Sequence, residues 1–275
     1  MTPPVRLIAT DLDGTLLGPD DRISERTLAA LAAARSAGVH VVAATGRSHR
    51  TAVPLIGPSG LIDLAVCSNG ATVYDLVADR VDEHRPVTAE VAAGMFDALR
   101  QRLPGVIFGW ESVDGFGWIP GFVEVEPEVG GVIQAVAGAA GSTGPDGVAL
   151  LKVFVAHPDL GHDALLAAVA AGLPAGLTVT HSGARSVEIT AEGVDKAAAL
   201  ARVCSRLGIG AREVIAFGDN QNDLAMLRWA GRGVAMDNAH PAVLAEFSER
   251  AGHHADDGVA IAIELLLGSA SEARS

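Results

Sequence analysis

Residues 6–17 read RLIATDLDGTLL, a short apolar run that ends in two aspartates separated by one residue. Residues 7–9 are typical of a buried strand, and Gly14 favours a turn after it. The pattern places Asp11 and Asp13 at the C-terminal end of a strand, where open α/β sheets bind ligands. Two carboxylates about 4 Å apart repel by roughly 4 kcal/mol at an effective dielectric constant of 20, so the pair needs a cation or a shared proton. Carboxylate oxygens are hard ligands, which favour Mg²⁺.

The composition limits the class of protein. A chain of 275 residues is long enough for one large domain or two modest ones. Its apolar runs are shorter than the roughly 18 residues that span a bilayer, and the first is too short for a signal-peptide core. We therefore expect a cytoplasmic protein with no membrane partner. The net charge of −13, without a basic stripe, argues against nucleic-acid binding, and the oligomeric state stays open.

A second strand brings another set of polar groups to the same edge. Residues 39–44 read as a buried strand after a helix, and a strand, a helix and a strand in that order predict a right-handed parallel crossover. Thr45, Gly46 and Arg47 then follow the second strand, level with Asp11. A hydroxyl and a backbone amide beside a glycine are suitable donors to a phosphoryl oxygen. The tripeptide alone is a weak signal, because Thr-Gly ends many strands.

Two later segments place further charged residues at the ends of predicted elements. Lys196 lies at the start of a helix that Asp195 can cap, so its ammonium is expected near a helix N-terminus, where anions are favoured. An ordinary surface lysine is the alternative. The predicted strand of residues 214–217 leads into Asp219, and Asp223 stands four residues further on. That spacing fits one turn, so both acids can face a cation at the strand tip.

The pattern changes between about residues 83 and 183. Strands in adjacent pairs, separated by helices, predict an inserted α+β unit with an antiparallel sheet. The core is then formed by residues 1–82 and 184–275. A hairpin over residues 71–85 is predicted to leave the core sheet, and a helix rich in glycine and alanine is predicted over residues 127–140.

Aromatic residues concentrate in the insertion. Such an alternation more often marks a sheet face packed on helices than the wall of a substrate site. Whether Trp110 and Trp118 contact substrate stays open. The residues are Phe108, Trp110, Phe116, Trp118 and Phe122.

The segment DLDGTLL resembles the first motif of the haloacid dehalogenase (HAD) superfamily, a large group dominated by phosphotransfer enzymes. The whole set is similar to the four motifs of that superfamily in their usual order: DLDGTLL (11–17), TGR (45–47), Lys196 and GDNQND (218–223). GVAMDNA (233–239), DDGVA (256–260) and the position of the insertion resemble the Cof-type branch with a class IIB cap. This implies an α/β fold, a Rossmann-like doubly wound parallel sheet with an inserted α+β cap that governs substrate specificity.

The resemblance also implies an activity. The chain is expected to be a Mg²⁺-dependent phosphatase that hydrolyses a small phosphorylated metabolite, such as a sugar phosphate, through an aspartyl-phosphate. Asp11 would be the nucleophile, and Asp13 the acid that protonates the leaving alcohol and then the base that activates water. Mg²⁺ would be bound by Asp11, by the carbonyl oxygen of Asp13 and by Asp219, with Asp223 in support.

The same resemblance assigns the contacts to the substrate. The transferring phosphoryl group would be held by Thr45, by the amide of Gly46 and by Lys196. Asn222 would assist them, and Arg47 at the edge of the core would be a further contact to the substrate.

Two other functions stay open at this point. A hexose-phosphate phosphomutase of the same superfamily shares the motifs and the cap type. A non-catalytic phospho-receiver module also uses an aspartate at a strand end, but Asp13, Lys196 and the large cap argue against it. The sequence does not identify which phosphorylated compound is the substrate.

Overall fold

The structure, a computed structural model, describes residues 4–127, 129–132, 147–180 and 185–272. It divides into two units, the first formed by Met1–Glu83 with Asp195–Ser275 and the second by His84–Val194. The sequence places these boundaries at 83 and 184. The second unit extends to Val194 instead, because the strand Val187–Ala191 pairs within its sheet. The predicted end of the insertion at 183, and most of the helix predicted over 127–140, lie outside the described residues.

The strands and helices alternate through much of the chain. The strands are β1 Leu7–Thr10, β2 His40–Ala44, β3 Leu64–Cys67, β4 Thr72–Asp75, β5 Arg80–His84, β6 Ile107–Ser112, β7 Phe116–Trp118, β8 Leu150–Ala156, β9 Leu177–Thr180, β10 Val187–Ala191, β11 Val214–Gly218, β12 Arg232–Met236 and β13 Arg250–Ala251. The helices are α1 Glu25–Ser36, α2 His49–Ile56, α3 Ala89–Arg102, α4 Phe122–Val125, α5 His162–Gly172, α6 Lys196–Leu207, α7 Leu224–Trp229, α8 Pro241–Glu246 and α9 Gly258–Glu272.

The first unit is built on an eight-stranded sheet in the order β13-β12-β11-β1-β2-β3-β4-β5. The strands from β13 to β3 are parallel, with β1 between β11 and β2. The predicted doubly wound sheet is therefore confirmed. Because the chain proceeds from β1 toward β3 on one side and from β11 toward β13 on the other, the strand order reverses beside β1. Such a reversal opens a crevice at the carboxyl ends of the strands.

The hairpin of β4 and β5 differs from the prediction. Instead of leaving the sheet, β4 pairs antiparallel with β3, and β5 extends the same edge. Val73 pairs with Val66, and both side chains are fully buried. Burial of these valines against the core accounts for the pairing of β4 with β3, because a buried backbone needs ladder hydrogen bonds.

The second unit has a five-stranded antiparallel sheet in the order β7-β6-β8-β10-β9. The helices α3 and α5 contribute to the apolar cluster that contains Phe108 and Trp110, as the aromatic alternation predicts. Trp118 and Phe122 belong to a separate cluster with Phe154, and Phe116 packs on that cluster. Trp110 and Trp118 are both buried.

None of the helices in the described part of the chain combines the length and the apolar character that crossing a bilayer requires.

Candidate active site

Asp11 lies at the carboxyl end of β1, directly beside the crevice. Its backbone N–H donates to the carbonyl of Phe217 at 3.0 Å, which joins the ends of β1 and β11. The following segment turns away from the sheet, and Gly14 adopts a φ of +70° there, a left-handed conformation that favours glycine. The Asp11 side chain is buried, as expected for a strand in the centre of the sheet.

A buried ammonium group joins two of the predicted acids. The Nζ atom of Lys196 donates to Oδ1 of Asp11 and to Oδ1 of Asp223, each at 2.6 Å. Lys196 is the first residue of α6, which Asp195 caps by accepting from the N–H of Ala198 at 2.7 Å. The surface-lysine alternative is wrong, because the Lys196 side chain is 0% exposed. This ammonium is held by carboxylates from two different strand ends.

The loop after β11 holds Asp223 in one orientation. Oδ2 of Asp223 accepts from the backbone N–H groups of Asp219 and Asn220 at 3.0 and 2.9 Å. A Cβ atom at Gly218 would lie only 2.6 Å from the Cβ of Asp223, so this close approach requires glycine. One oxygen from each of Asp11, Asp219 and Asp223 lies within 4.8 Å of the others. The predicted four-residue spacing therefore places both later acids beside the first.

The turn after β1 fixes the position of Asp219. The hydroxyl of Thr15 donates to Oδ1 of Asp219 at 3.0 Å. A Cβ atom at Gly14 would approach Oδ2 of the same carboxylate to 2.6 Å. The turn at Gly14 thus leaves space for Asp219, which follows β11, and Thr15 orients its carboxylate.

The charges of this cluster depend strongly on one another. Burial raises the pKa of Asp11 well above its ordinary value, Asp223 and Asp219 raise it further, and Lys196 opposes the rise. Burial, followed by Asp223, raises the pKa of Asp219 to about 6 against the hydrogen bond from Thr15. Burial favours a neutral Lys196, but the carboxylates of Asp11 and Asp223 outweigh it and raise the pKa of the lysine. The three acids supply hard oxygen atoms, and the single ammonium group does not balance their charge, so the cluster fits a divalent cation such as Mg²⁺.

Thr45 and Gly46 lie at the carboxyl end of β2. The hydroxyl oxygen of Thr45 accepts from the N–H of Arg47 at 3.0 Å, so its proton remains available for donation. A Cβ atom at Gly46 would lie 3.1 Å from Oδ1 of Asn69, and that oxygen accepts from Nδ2 of Asn222 at 3.1 Å. These contacts connect the ends of β2, β3 and β11.

Asp13 and Arg47 form a separate pair. Nε of Arg47 donates to both carboxylate oxygens of Asp13 at 2.9 Å, and a terminal nitrogen lies 3.0 Å from Oδ1 of Asp21. The Asp13 side chain is 50% exposed, and its carboxylate is outside the cluster of Asp11 and Asp219. A metal contact of Asp13 therefore depends on its carbonyl oxygen, as the resemblance implies.

Several residues that organise this edge have no role predicted from the sequence. Thr15 and Asn69 are two of them, although both follow the ends of predicted strands. Asn238 is a third: its Nδ2 donates to the carbonyl of Gly14 at 2.8 Å, and its Oδ1 accepts from the N–H of His254 at 3.0 Å. The GVAMDNA segment contains Asn238 and is the signal that identifies it.

Comparison with known proteins places these features in a family. A family model described as haloacid dehalogenase-like hydrolase matches residues 8–263. The chain is 30% identical over 261 residues to 5-amino-6-(5-phospho-D-ribitylamino)uracil phosphatase YcsE of Bacillus subtilis (strain 168), covering 94% of each chain. It is 31% identical over 276 residues to pyridoxal phosphate phosphatase YbhA of Escherichia coli (strain K12), covering 93% of this chain and 96% of the relative.

A solved structure agrees on the fold. The HAD subclass IIB sugar phosphatase BT4131 superposes with a TM-score of 0.80, covering 94% of this chain and 98% of the other, at 22% sequence identity.

Proposed function

The chain belongs to the haloacid dehalogenase-like hydrolases, and we propose that it is a Mg²⁺-dependent phosphatase that forms an aspartyl-phosphate on Asp11. The observation that carries the proposal is the buried contact of Lys196 with Asp11, beside Asp219 and Asp223 in the crevice of the sheet. The matched relatives are named as phosphatases of small phosphorylated compounds. A small phosphorylated metabolite, such as a sugar phosphate, is therefore the proposed substrate class.

The proposed first step uses Asp11 and Asp13. An oxygen of Asp11 attacks phosphorus, the bond from phosphorus to the leaving oxygen breaks, and Asp13 gives that oxygen a proton. In the second step Asp13 takes a proton from water, the water oxygen attacks phosphorus, and the bond to Asp11 breaks with release of inorganic phosphate. A covalent intermediate divides one difficult displacement into two easier ones.

The remaining residues are proposed to bind the transferring phosphoryl group. The ammonium of Lys196 keeps Asp11 in place and offers positive charge where the phosphoryl oxygens approach. The Thr45 hydroxyl and the Gly46 amide are the proposed donors to those oxygens, and Asn222 is oriented toward Gly46 by Asn69. Arg47 lies at the same edge with 27% of its side chain exposed, so it can also contact the organic part of a substrate.

The cation is proposed to be held by Asp11, the Asp13 carbonyl oxygen, Asp219 and Asp223. When bound, Mg²⁺ would screen the repulsion between a carboxylate and a phosphate dianion. The raised pKa values of Asp11 and Asp219 support this assignment, because a cation relieves the cost of keeping both acids ionised.

A turnover assay tests the proposal. Purified protein is incubated with a panel of phosphorylated metabolites and with p-nitrophenyl phosphate, with Mg²⁺ or with EDTA, and inorganic phosphate is measured. Repeated turnover that requires Mg²⁺ is the expected result. Conversion of a hexose phosphate to its isomer without phosphate release would identify a phosphomutase instead. Transfer of one phosphoryl group to each protein molecule, without repeated turnover, would identify a phospho-receiver.

A further inference from the structure

Arg47 contacts two carboxylates, of which the proposed mechanism uses only one. Nε of Arg47 donates to both oxygens of Asp13 at 2.9 Å, and a terminal nitrogen also contacts Asp13. The same terminal nitrogen lies 3.0 Å from Oδ1 of Asp21. Both acids follow β1 in the chain, whereas Arg47 follows β2. Asp21 therefore stabilises the end of the guanidinium group that also binds Asp13.

The backbone fixes the direction from which Asp21 approaches. Its N–H donates to the carbonyl of Gly18 at 3.1 Å, and the N–H of Gly18 donates to the carbonyl of Arg22 at 2.8 Å. Asp21 has a φ of +58°, a left-handed conformation that aspartate adopts more readily than most residues. The short turn thus presents the carboxylate to Arg47.

Stability alone gives little reason for this contact. The Asp21 side chain is 66% exposed, and exposed ion pairs contribute little to the stability of a fold. Geometry gives a stronger reason, because a guanidinium group is a rigid planar fork that matches a carboxylate at two points. A second carboxylate on the terminal nitrogen that binds Asp13 restrains the guanidinium plane, and with it the orientation of the Asp13 carboxylate.

We infer that Asp21 is a positioning residue that acts through Arg47 to hold the Asp13 carboxylate where it meets the leaving oxygen of the substrate. The inference rests on the proposed phosphatase activity and on the acid role of Asp13. Without Asp21, the guanidinium keeps only its contacts with Asp13, and the Asp13 carboxylate samples a wider range of positions. A displacement of about 1 Å in a catalytic group can reduce a rate by up to about 100-fold.

The dependence on the leaving group separates this role from a structural one. Nitrophenolate departs readily without a proton, whereas phenolate departs more easily when an acid protonates it. Loss of Asp13 positioning therefore affects phenyl phosphate more than p-nitrophenyl phosphate. A general loss of structure affects both esters equally.

Two variants test the inference with Mg²⁺ present. Asp21→Gly removes the carboxylate and tolerates the positive φ, and its kcat/KM is expected to fall about tenfold for phenyl phosphate and less than about twofold for p-nitrophenyl phosphate. Asp21→Asn keeps an acceptor oxygen and should lose less. Asp20→Asn is the matched control, because it removes the same charge from a neighbouring carboxylate that accepts from the N–H of Arg22. It is expected to behave like the wild-type protein on both esters.

A double variant locates the effect. In an Asp13→Asn background, Asp21→Gly is expected to cause no further change in the ratio of the two kcat/KM values, since no acid remains to be positioned. Equal losses on both esters, an unchanged ratio in Asp21→Gly, or an equal effect of Asp20→Asn would overturn the role of Asp21 while leaving the phosphatase activity intact. A wild-type protein that hydrolyses neither these esters nor any phosphorylated metabolite of the panel would overturn the proposed function, and the inference with it.

Discussion

Replacing Lys196 by methionine tests the electrostatics of the acid cluster most thoroughly. The substitution keeps a long apolar side chain but removes an ammonium that lies 2.6 Å from an oxygen of Asp11 and of Asp223. Removing one partner from a buried ion pair typically costs about 3–5 kcal/mol. The acids within 4.8 Å of one another then repel by roughly 3 kcal/mol per ionised pair at an effective dielectric constant of 20. We expect the metal-free variant to lose about 3 kcal/mol of unfolding free energy.

Mg²⁺ should restore about half of this loss. Removing a positive charge beside the cation site tightens Mg²⁺ binding, and about tenfold tighter binding adds about 1.4 kcal/mol of stabilisation at saturating metal. The assay is urea unfolding followed by circular dichroism, with Mg²⁺ and with EDTA. The stabilisation by Mg²⁺ is expected to be larger in Lys196→Met than in the wild-type protein.

The second unit offers a matched control. Nζ of Lys152 lies 2.9 Å from Oε1 of Glu188, and both side chains are almost fully buried. Lys152→Met therefore breaks a similar ion pair without altering the proposed cation site. Coupling between Lys196 and the cation site is refuted if Mg²⁺ stabilises Lys196→Met no more than the wild-type protein, or if it stabilises Lys152→Met to the same additional extent.

Three further predictions concern the same cluster. Asp11→Asn is nearly isosteric and should keep the circular dichroism spectrum while lowering kcat by more than about 10⁴-fold; substantial remaining turnover would exclude Asp11 as the nucleophile. Gly14→Ala should weaken Mg²⁺ binding in calorimetry by about tenfold or more, because the new Cβ would lie 2.6 Å from Oδ2 of Asp219. Gly38→Ala, at a φ of +81° with open space around it, carries the same backbone strain and should leave Mg²⁺ binding unchanged. Because burial raises the pKa of Asp219 to about 6, the protonated acid stabilises the metal-free fold below about pH 4, and this contribution is lost as the pH rises through about 6. Thermal melts should therefore show a metal-free protein that loses stability from about pH 4 to pH 6 and a Mg²⁺ effect that grows over the same range; the opposite trends would contradict the assignment.

Local sequence patterns predict the core sheet well. The run that ends in Asp11 and the run that ends before Asp219 each combine a short apolar strand with a polar turn. The sequence therefore predicts both that these strands are buried and where they end. Parallel order then follows from the helices between the strands. The Asp195 cap of α6 was also predictable, because a cap depends on residues within one turn.

Features that depend on contacts between residues far apart in the chain could not be predicted from local sequence patterns. Lys196 looks like a surface lysine until β1 and β11 bring Asp11 and Asp223 to it. The boundary of the insertion depends on the pairing of β10 with β8 and β9, which no local pattern records. Asp21 carries no sequence signal, since its contact with Arg47 joins the segments that follow β1 and β2.

The central claim is that the carboxylate of Asp11 becomes covalently phosphorylated. The most direct measurement is an acid quench of a reaction in progress, followed by borohydride reduction, which converts an aspartyl-phosphate to homoserine, and by mass spectrometry of the peptides. The expected result is homoserine at position 11, formed only when substrate and Mg²⁺ are both present and absent from Asp11→Asn. Hydrolysis at full rate with no modification at position 11, or with modification at another aspartate, would contradict the account.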